Sequence, residues 1–540
     1  MKESDPPRPI VIIGSGIAGA LTAERLAASG LPVLIIEAGA PVDRARAVDR
    51  FLMSPIKTPE CAYESSPFAD FPRTESPDQW YQQQGPVPFK STYLRVVGGT
   101  SWHWLGTCLR FLPADFRLRG HYGRGLDWPI DYAQLETWYE RAERALGVSG
   151  DHRTDPWLKG RSEFPQPAIP QTYLDRLFHR ALQHSPYEVT PTPQARNSGP
   201  YEGRPACCGS ASCIPICPVQ AKYDATIPLQ QALAQGAQLW SQTVVSRLIA
   251  GPNGVIRALE YRRWDGSSGF LEARRFILAC NGIETPRLLL ASADERYPKG
   301  LANRSDQVGR NLMDHPVQLS WAQSSDPVYP YRGPISTSGI ENLRDGAFRR
   351  ERAAFRIQIS NDGWSWPTGG LPAAVDQLMS QGLQGRALDQ AIRHSASRHL
   401  QLAALMEELP DPFNRVTLDP KHRDGLGLAK PALRYRHGAY VLDGLKASRR
   451  AHEAIFQRMG ATEIHHATEP QGAGHILGTT RMGDSPETSV VDANLRCHDH
   501  PNLYLVGGSV FPTGGTANPT LTIAALALRL AETLKNQPDA

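Results

Sequence analysis

Four cysteines, Cys207, Cys208, Cys213 and Cys217, fall within eleven residues of the stretch ACCGSASCIPICP, although the whole 540-residue chain holds only eight. Such crowding calls for a chemical reason. Structural disulfides fit poorly, because adjacent Cys207 and Cys208 do not pair easily with each other. Cys61, Cys108, Cys280 and Cys497 are scattered singly and read as structural. Zinc sites usually come as two separated knuckles, and no second knuckle is present. Plain buried thiols have no reason to cluster. Iron–sulfur ligation fits best: CIPICP is the Cys-x3-Cys-Pro ending of a bacterial ferredoxin run, with another thiol five residues upstream. Cys213 and Cys217 are the firmest candidate ligands. Between Cys207 and Cys208 the spacing does not decide.

The elements that must position such chemistry begin at the N-terminus, in PIVIIGSGIAGALTAERLAASGLPVLIIEAG. Ile10–Ile13 is a continuous apolar run, which predicts a buried parallel strand. Gly14, Gly16 and Gly19 follow in GxGxxG spacing around Ser15, and an amphipathic helix comes next. A second apolar run, Val33–Ile36, ends at Glu37 and Ala38. Together these form a dinucleotide fingerprint. The glycines allow a tight turn and close approach of a pyrophosphate to the helix N-terminus, and the acid accepts hydrogen bonds from a ribose hydroxyl. The EAG after the second strand points to FAD rather than NAD.

Composition is that of a globular protein, 41% hydrophobic and 21% charged, with a net charge of only +4. No basic run or basic–aromatic stripe accompanies that charge, and no nucleic-acid partner is expected. The polar start, MKESDPPRP, enters a strand at once and has no apolar h-region, so no signal peptide is expected. The apolar stretch LTIAALALRLAETL is interrupted by Arg529 and is too short to span a bilayer. The expected chain is soluble by itself and reaches a membrane through partners.

Further segments extend the fingerprint along the whole chain: VVGGTSWHW, ILACNGIETPRLLL, VGRNLMDHP, HILGTTRMG and NLYLVGGSVFPTGGTANPTLTIAALALRLAETL occur in that order. Together they resemble the glucose–methanol–choline (GMC) family of FAD-dependent oxidoreductases. Within it, RNSGPYEGRPACCG and the cysteine loop resemble the catalytic subunit of bacterial FAD-dependent glucose, fructose, sorbitol and gluconate dehydrogenases. The resemblance implies an α/β fold: a Rossmann-type FAD-binding domain assembled from discontinuous segments, with an antiparallel-sheet α+β substrate domain. We expect residues 1–48, 85–135, 200–320 and 468–540 in the first, with the iron–sulfur loop at 207–217. Residues 49–84, 136–199 and 321–467 form the second and its excursions.

Oxidising an alcohol removes a hydride from carbon and a proton from oxygen. The hydride goes to the flavin, so the protein must supply a base and a second polar group for the oxygen. By the resemblance His475, heading HILGTTRMG, is the catalytic histidine, and Asn518 in TANPTL is the second residue of the pair, also touching the flavin with Thr520. Gly99, Thr100 and Ser101 are expected beside the flavin and pyrophosphate, and Val245 beside the adenine. His103 either packs against the flavin or bonds to it covalently; dissociable flavin is expected. Trp364 and Trp366 are read as core or loop anchors, with lining of a sugar pocket as the alternative.

The resemblance also implies that the cluster is of the three-iron four-sulfur type. It further implies a small subunit carrying the export signal, a membrane-anchored multi-haem cytochrome c subunit as electron acceptor, and a periplasmic location. The substrate class is a sugar, polyol or sugar acid. Two other readings compete: an oxidase of pyranose-oxidase type that uses dioxygen, and a non-enzymatic flavin-binding protein, against which His475 and Asn518 together speak.

Overall fold

The computed structural model describes residues 8–74, 76–153, 163–361 and 370–537. Trp364 and Trp366 lie outside the described residues.

The apolar runs read from the sequence become the centre of a five-stranded, all-parallel sheet. Its order is Leu503–Leu505, Arg275–Leu278, Ile10–Ile13, Val33–Ile36, Gln238–Trp240. Ile10–Ile13 sits in the middle with both neighbours in register, which is why the run has no polar alternation. The strands come from four separated parts of the chain. The helix Ile17–Ala27 covers one face and packs against the long C-terminal helix Thr520–Lys535 and against Thr226–Ala234. The helix Tyr132–Leu146 buries Tyr139, Ala142 and Leu146 in the same core.

Two glycines make the first turn possible. Gly14 has φ of +102°, and a Cβ there would meet the Ala279 carbonyl oxygen at 2.6 Å. At Gly19 a Cβ would stand 2.0 Å from the Gly14 carbonyl oxygen, so only glycine lets the helix lie this close to the strand.

A second, six-stranded sheet is antiparallel throughout, in the order Ala461–His466, Val317–Ser324, His399–Met406, Phe355–Ile359, Ser338–Ile340, Val189–Pro191. The helix Ala439–Arg458 packs on it, with Val441, Leu445, Ile455 and Phe456 in its own apolar core. The stretch RVTLDP does not join this sheet. It opens the strand Arg415–Arg423, which pairs with Ala429–Arg434 and, through it, Gln82–Gln83, against the helix Asn281–Ala291. The fold is thus a mixed α/β architecture in which a parallel sheet carries the nucleotide turn and an antiparallel sheet faces it.

Candidate active site

Two cavities meet at the end of the parallel sheet and share Gly16, Thr100, Ala279 and Asn281 in their walls. They hold about 950 and 1950 Å³ of space between protein atoms, part of it open to solvent. The first is walled by the fingerprint residues Gly14, Gly16, Glu37 and Ala38, by Gly99 and Thr100, and by Val245. Gly16 faces open space, with nothing within 4 Å of where a Cβ would stand. A flat or phosphorylated ligand therefore meets bare backbone at the helix N-terminus, the cradle a dinucleotide needs.

Ser15 and Gly19 are not in the cavity walls. Ser15 is fully buried; its backbone N–H and hydroxyl donate to Glu37 Oε2 at 2.9 and 2.7 Å, and its oxygen accepts from Gly98 N at 3.0 Å. Gly39 N donates to the other Glu37 oxygen at 3.0 Å. Burial pushes the Glu37 carboxyl up, against these hydrogen bonds, and a further donor from a ribose hydroxyl would favour the ion it needs to be. Ser15 and Gly19 therefore build the turn, and of these three residues Glu37 alone lines the cavity. Cys280, read as structural, also lines the first cavity, with its Sγ 2.9 Å from the Ile13 carbonyl.

The second cavity gathers Thr100, Ser101, His103, His475, Asn518 and Thr520. Its roof is one face of the antiparallel sheet, because alternate residues point the same way: Val317 and Leu319, Gln401, Ala403 and Leu405, Gln358 and Ser360. Ser101 ties the flavin-side loop down by donating to Gly98 O and accepting from Ala225 N. His103 is buried with Nδ1 3.1 Å from the Pro59 carbonyl, and burial lowers its pKa to about 4.

His475 and Asn518 meet on the cavity floor: Asn518 Nδ2 lies 3.2 Å from His475 Nε2. The Asn518 Oδ1 is buried with no hydrogen-bond partner in the chain. An orphaned acceptor beside a ring nitrogen at a cavity floor is what a substrate hydroxyl would satisfy. Burial holds the His475 imidazole well below its ordinary pKa, helped by His315 and Arg356. Asp314 fixes the main chain here. It accepts from the backbone N–H groups of His315, Ala473 and His475 at 2.7, 3.0 and 3.0 Å, and from the Ser91 hydroxyl. Burial pushes Asp314 up to about 7 against those four donors. Sequence reasoning gave Asp314 and His315 no role; they stand together in NLMDHP, the one available signal.

The cysteine loop packs directly behind the flavin-side loop. Ile216 joins Leu94, Val96 and Trp102 in one apolar cluster, and Ile214 reaches the second cavity. All eight cysteines are free; Cys213 and Cys217 are buried, Cys207 half-buried and Cys208 exposed. Arg196, fully buried, donates to Cys213 Sγ at 3.1 Å. Lys222 donates from Nζ to the carbonyls of Trp102, Trp104 and Cys213 at 2.8, 2.6 and 2.8 Å, and burial lowers its pKa to about 8. Arg196 Nε and Arg204 Nε and Nη2 have no partner in the chain. Sequence reasoning missed these cations, which lie apart from the thiols in the chain or look like ordinary surface residues.

Among the described residues no helix is long and apolar enough to cross a membrane.

Comparison with known proteins agrees with this geometry. The family description "GMC oxidoreductase" matches residues 12–317 and again 410–527. A fructose dehydrogenase large subunit of Gluconobacter japonicus is 38% identical over 98% of this chain and 97% of its own. A paromamine 6'-oxidase of Streptomyces fradiae is 30% identical over 98% of this chain and 92% of its own. Among solved structures, formate oxidase shares the fold with a TM-score of 0.67 at 16% identity, over 99% of both chains. The chain belongs to the family of GMC oxidoreductases, which are FAD-dependent enzymes.

Proposed function

We propose that the chain is the catalytic subunit of an FAD-dependent dehydrogenase that oxidises a secondary or hemiacetal hydroxyl of a sugar or polyol. Electrons leave through a three-iron four-sulfur cluster to a membrane-anchored multi-haem cytochrome c, in a periplasmic complex whose small subunit carries the export signal. The observation that carries the oxidative half is the pairing of His475 Nε2 with Asn518 Nδ2 beside an orphaned acceptor, on a cavity floor continuous with the nucleotide cradle. When bound, FAD accepts the hydride from the substrate carbon. His475 Nε2 takes the hydroxyl proton, and Asn518 orients the oxygen. Gln358, Ser360, Gln401 and Gln471 supply uncharged hydrogen-bonding groups on the opposite wall. Among the described wall residues Lys90 alone carries a full charge, and it is paired with Glu469 at 3.0 Å. That lining suits a neutral polyhydroxy substrate better than a sugar acid. The domain division is proposed as residues 1–48, 85–135, 200–320 and 468–540 for FAD and the rest for substrate, corrected at two edges: the helix Tyr132–Leu146 packs whole in the parallel-sheet core, and the strand Val317–Ser324 belongs whole to the antiparallel sheet.

The cysteine loop fits an anionic group. Cys213 and Cys217 are buried and Cys207 half-buried, with Arg196 on Cys213 Sγ and one of its donors unpartnered, and the Lys222 ammonium buried close by. An iron–sulfur cluster, when bound, passes electrons singly. Cys207, Cys213 and Cys217 are the ligands we assign, with Cys208 spare: the Cys207 thiol senses Arg196, Cys213 and Cys217, whereas Cys208 points to solvent.

The decisive experiment is anaerobic flavin bleaching against D-glucose, D-fructose, D-sorbitol and D-gluconate, followed by reoxidation with a dye or with air. Bleaching by a neutral sugar, iron in the purified protein and preference for the dye are expected. The second reading, a flavin oxidase using dioxygen, is favoured by the oxidase relative at 30% identity. Fast reoxidation in air with no iron would establish it. Acid denaturation tests the linkage at His103: a yellow supernatant, meaning dissociable flavin, is expected.

A further inference from the structure

The segments around His315 and His475 run antiparallel, bridged at Met313–Leu477 and Val317–Gln471. This places the two rings edge to face, 4.8 Å apart, with their Nδ1 atoms 3.0 Å from each other. The far nitrogen of His315, Nε2, lies 3.1 Å from the carbonyl oxygens of both Gly514 and Gly515. Carbonyls only accept, so His315 Nε2 carries a hydrogen. Burial lowers the His315 pKa to about 4, so near neutral pH the ring holds one hydrogen and its Nδ1 is bare. Two bare nitrogens do not face each other at 3.0 Å. His475 Nδ1 therefore carries a hydrogen donated to His315, and its Nε2, towards Asn518 and the cavity, is a lone pair.

We infer that His315 is a positioning residue: through Gly514 and Gly515 it holds His475 in the one neutral tautomer whose Nε2 can accept the substrate's hydroxyl proton. This rests on the reading of His475 as the base. Without that acceptor only the Asn518 amide, 3.2 Å from Nε2, favours this tautomer, and the other, with hydrogen on Nε2, takes no proton there. When the substrate proton arrives, the His475 Nδ1–H bond to His315 and the two carbonyls beyond it line up dipoles that stabilise the imidazolium. The O–H proton goes to His475 and the C–H hydride leaves the carbon bearing that hydroxyl for the flavin, so the proton and electron pair are both accounted for. Asp314, Arg344 and Arg356 are the charged groups facing the pair. Asp314, His315 and His475 also cluster closely enough to suggest a metal site, but Asp314 already accepts four donors and the His315 ring is used at both nitrogens.

Two variants separate acceptor from donor. His315→Gln keeps a donor near the Gly514 and Gly515 carbonyls and loses the acceptor at Nδ1; His315→Asn puts an amide oxygen near the Nδ1 position. In flavin-loaded protein, flavin reduction by the fastest sugar of the panel should fall about 10- to 100-fold in His315→Gln, and by less in His315→Asn. FAD content should be unchanged. The loss in His315→Gln should persist at the alkaline plateau, because pH does not alter the tautomer ratio of a neutral ring. Nitrogen-15 spectra of histidine-labelled protein give a readout without turnover: one protonated Nδ1 signal, absent in His475→Ala, should also vanish in His315→Gln. Survival of that signal in His315→Gln, equal rates in the two variants, or recovery at high pH would overturn the inference. Normal flavin reduction in His475→Ala would instead overturn the base itself, so the two failures are distinct.

Discussion

The cavity floor and the thiol end of the cysteine loop, Cys213 and Cys217, are both made of loops and lie near the segment 94–104 that lines the second cavity, yet their electrostatics differ. At the floor the two facing imidazoles, His315 and His475, rest neutral. Burial depresses His315 and His475, the array ends on backbone carbonyls, and nearby Arg356 is paired with Glu341 at 2.8 Å. Around the thiols, Arg196 and Lys222 are buried with no carboxylate bound to either, while Asp224 is taken by Arg44 at 2.6 Å. Leaving a buried charge uncompensated costs about 3–5 kcal/mol, so Arg196 and Lys222 suit an anionic group at the loop, which the proposed cluster would be. A region that must pick up a proton keeps its rings neutral until the moment of reaction. A region that must hold a charged group is charged in advance.

The largest effect should come from breaking the neutral region. His475→Ala should slow flavin reduction by about 100-fold to 10,000-fold, with FAD still bound, since the residues proposed to hold the pyrophosphate and ribose, Gly16 and Glu37, line the other cavity. Stopped-flow reduction with the best panel sugar measures it, and near-normal rates would remove the assignment. Breaking the charged region should act on the other half-reaction. Cys213→Ser should leave bleaching and dye reduction intact but drop electron delivery to a cytochrome or electrode to background. A loop that mainly staples the fold would lose FAD, dye activity and solubility together, because metal-site binding energy is also folding energy.

A subtler contrast lies in pH. His103 and His315 titrate near 4 and His452 near 3, below the ordinary 6.5, all through burial. For a base depressed in the folded state, stability is complete above about 6.5 and is lost as pH falls towards 4, because only the unfolded chain then gains the proton. Each such histidine is worth about 3 kcal/mol at the limit. Asp314, pushed up to about 7, works in the opposite sense, as do Glu24, Glu37, Glu60 and Glu143, which burial also raises, while His399, His475 and His500 join the lowered histidines. Denaturant midpoints should therefore fall between pH 6.5 and 4.5. Lys222, lowered to about 8, has the same sense in a higher range at the loop: apoprotein should gain stability as pH rises from 8 towards 10.5, and a loaded cluster should flatten that gain. Flat midpoints in both ranges would dissolve the contrast.

How much of this was legible beforehand follows from the physics of each region. The parallel sheet and nucleotide turn were readable because one short stretch contains both strands, the helix and the three glycines whose Cβ atoms would collide or block. The pairing of His475 with Asn518 was readable from motif matching, although 43 residues separate them. His315 was not, since its role depends on a hydrogen-bond chain through Gly514 and Gly515, some 200 residues away. Nor were Arg196 and Lys222, whose burial depends on tertiary packing. Ser15 shows a limit of the opposite kind: it stands inside the fingerprint, yet its side chain serves Glu37 rather than the cavity.

The smallest expected effect gives the sharpest test of the charged region. Cys207 and Cys208 are neighbours in the chain, equal in sequence terms, and only their surroundings differ. The Cys207 backbone N–H is held by the Asn197 carbonyl at 2.9 Å, and its half-buried thiol is subject to Arg196 and to Cys213 and Cys217. Cys208 is turned to solvent. If the buried cations define where the anionic group sits, Cys208→Ser should leave iron content, the paramagnetic signal of the oxidised cluster and electron delivery unchanged. Cys207→Ser should lose all three while retaining FAD and sugar-dependent bleaching. Iron analysis and electron paramagnetic resonance on the two variants read this directly. Loss of iron in Cys208→Ser with retention in Cys207→Ser would move the cluster outwards, away from Arg196 and Lys222, and the buried cations would then need another explanation.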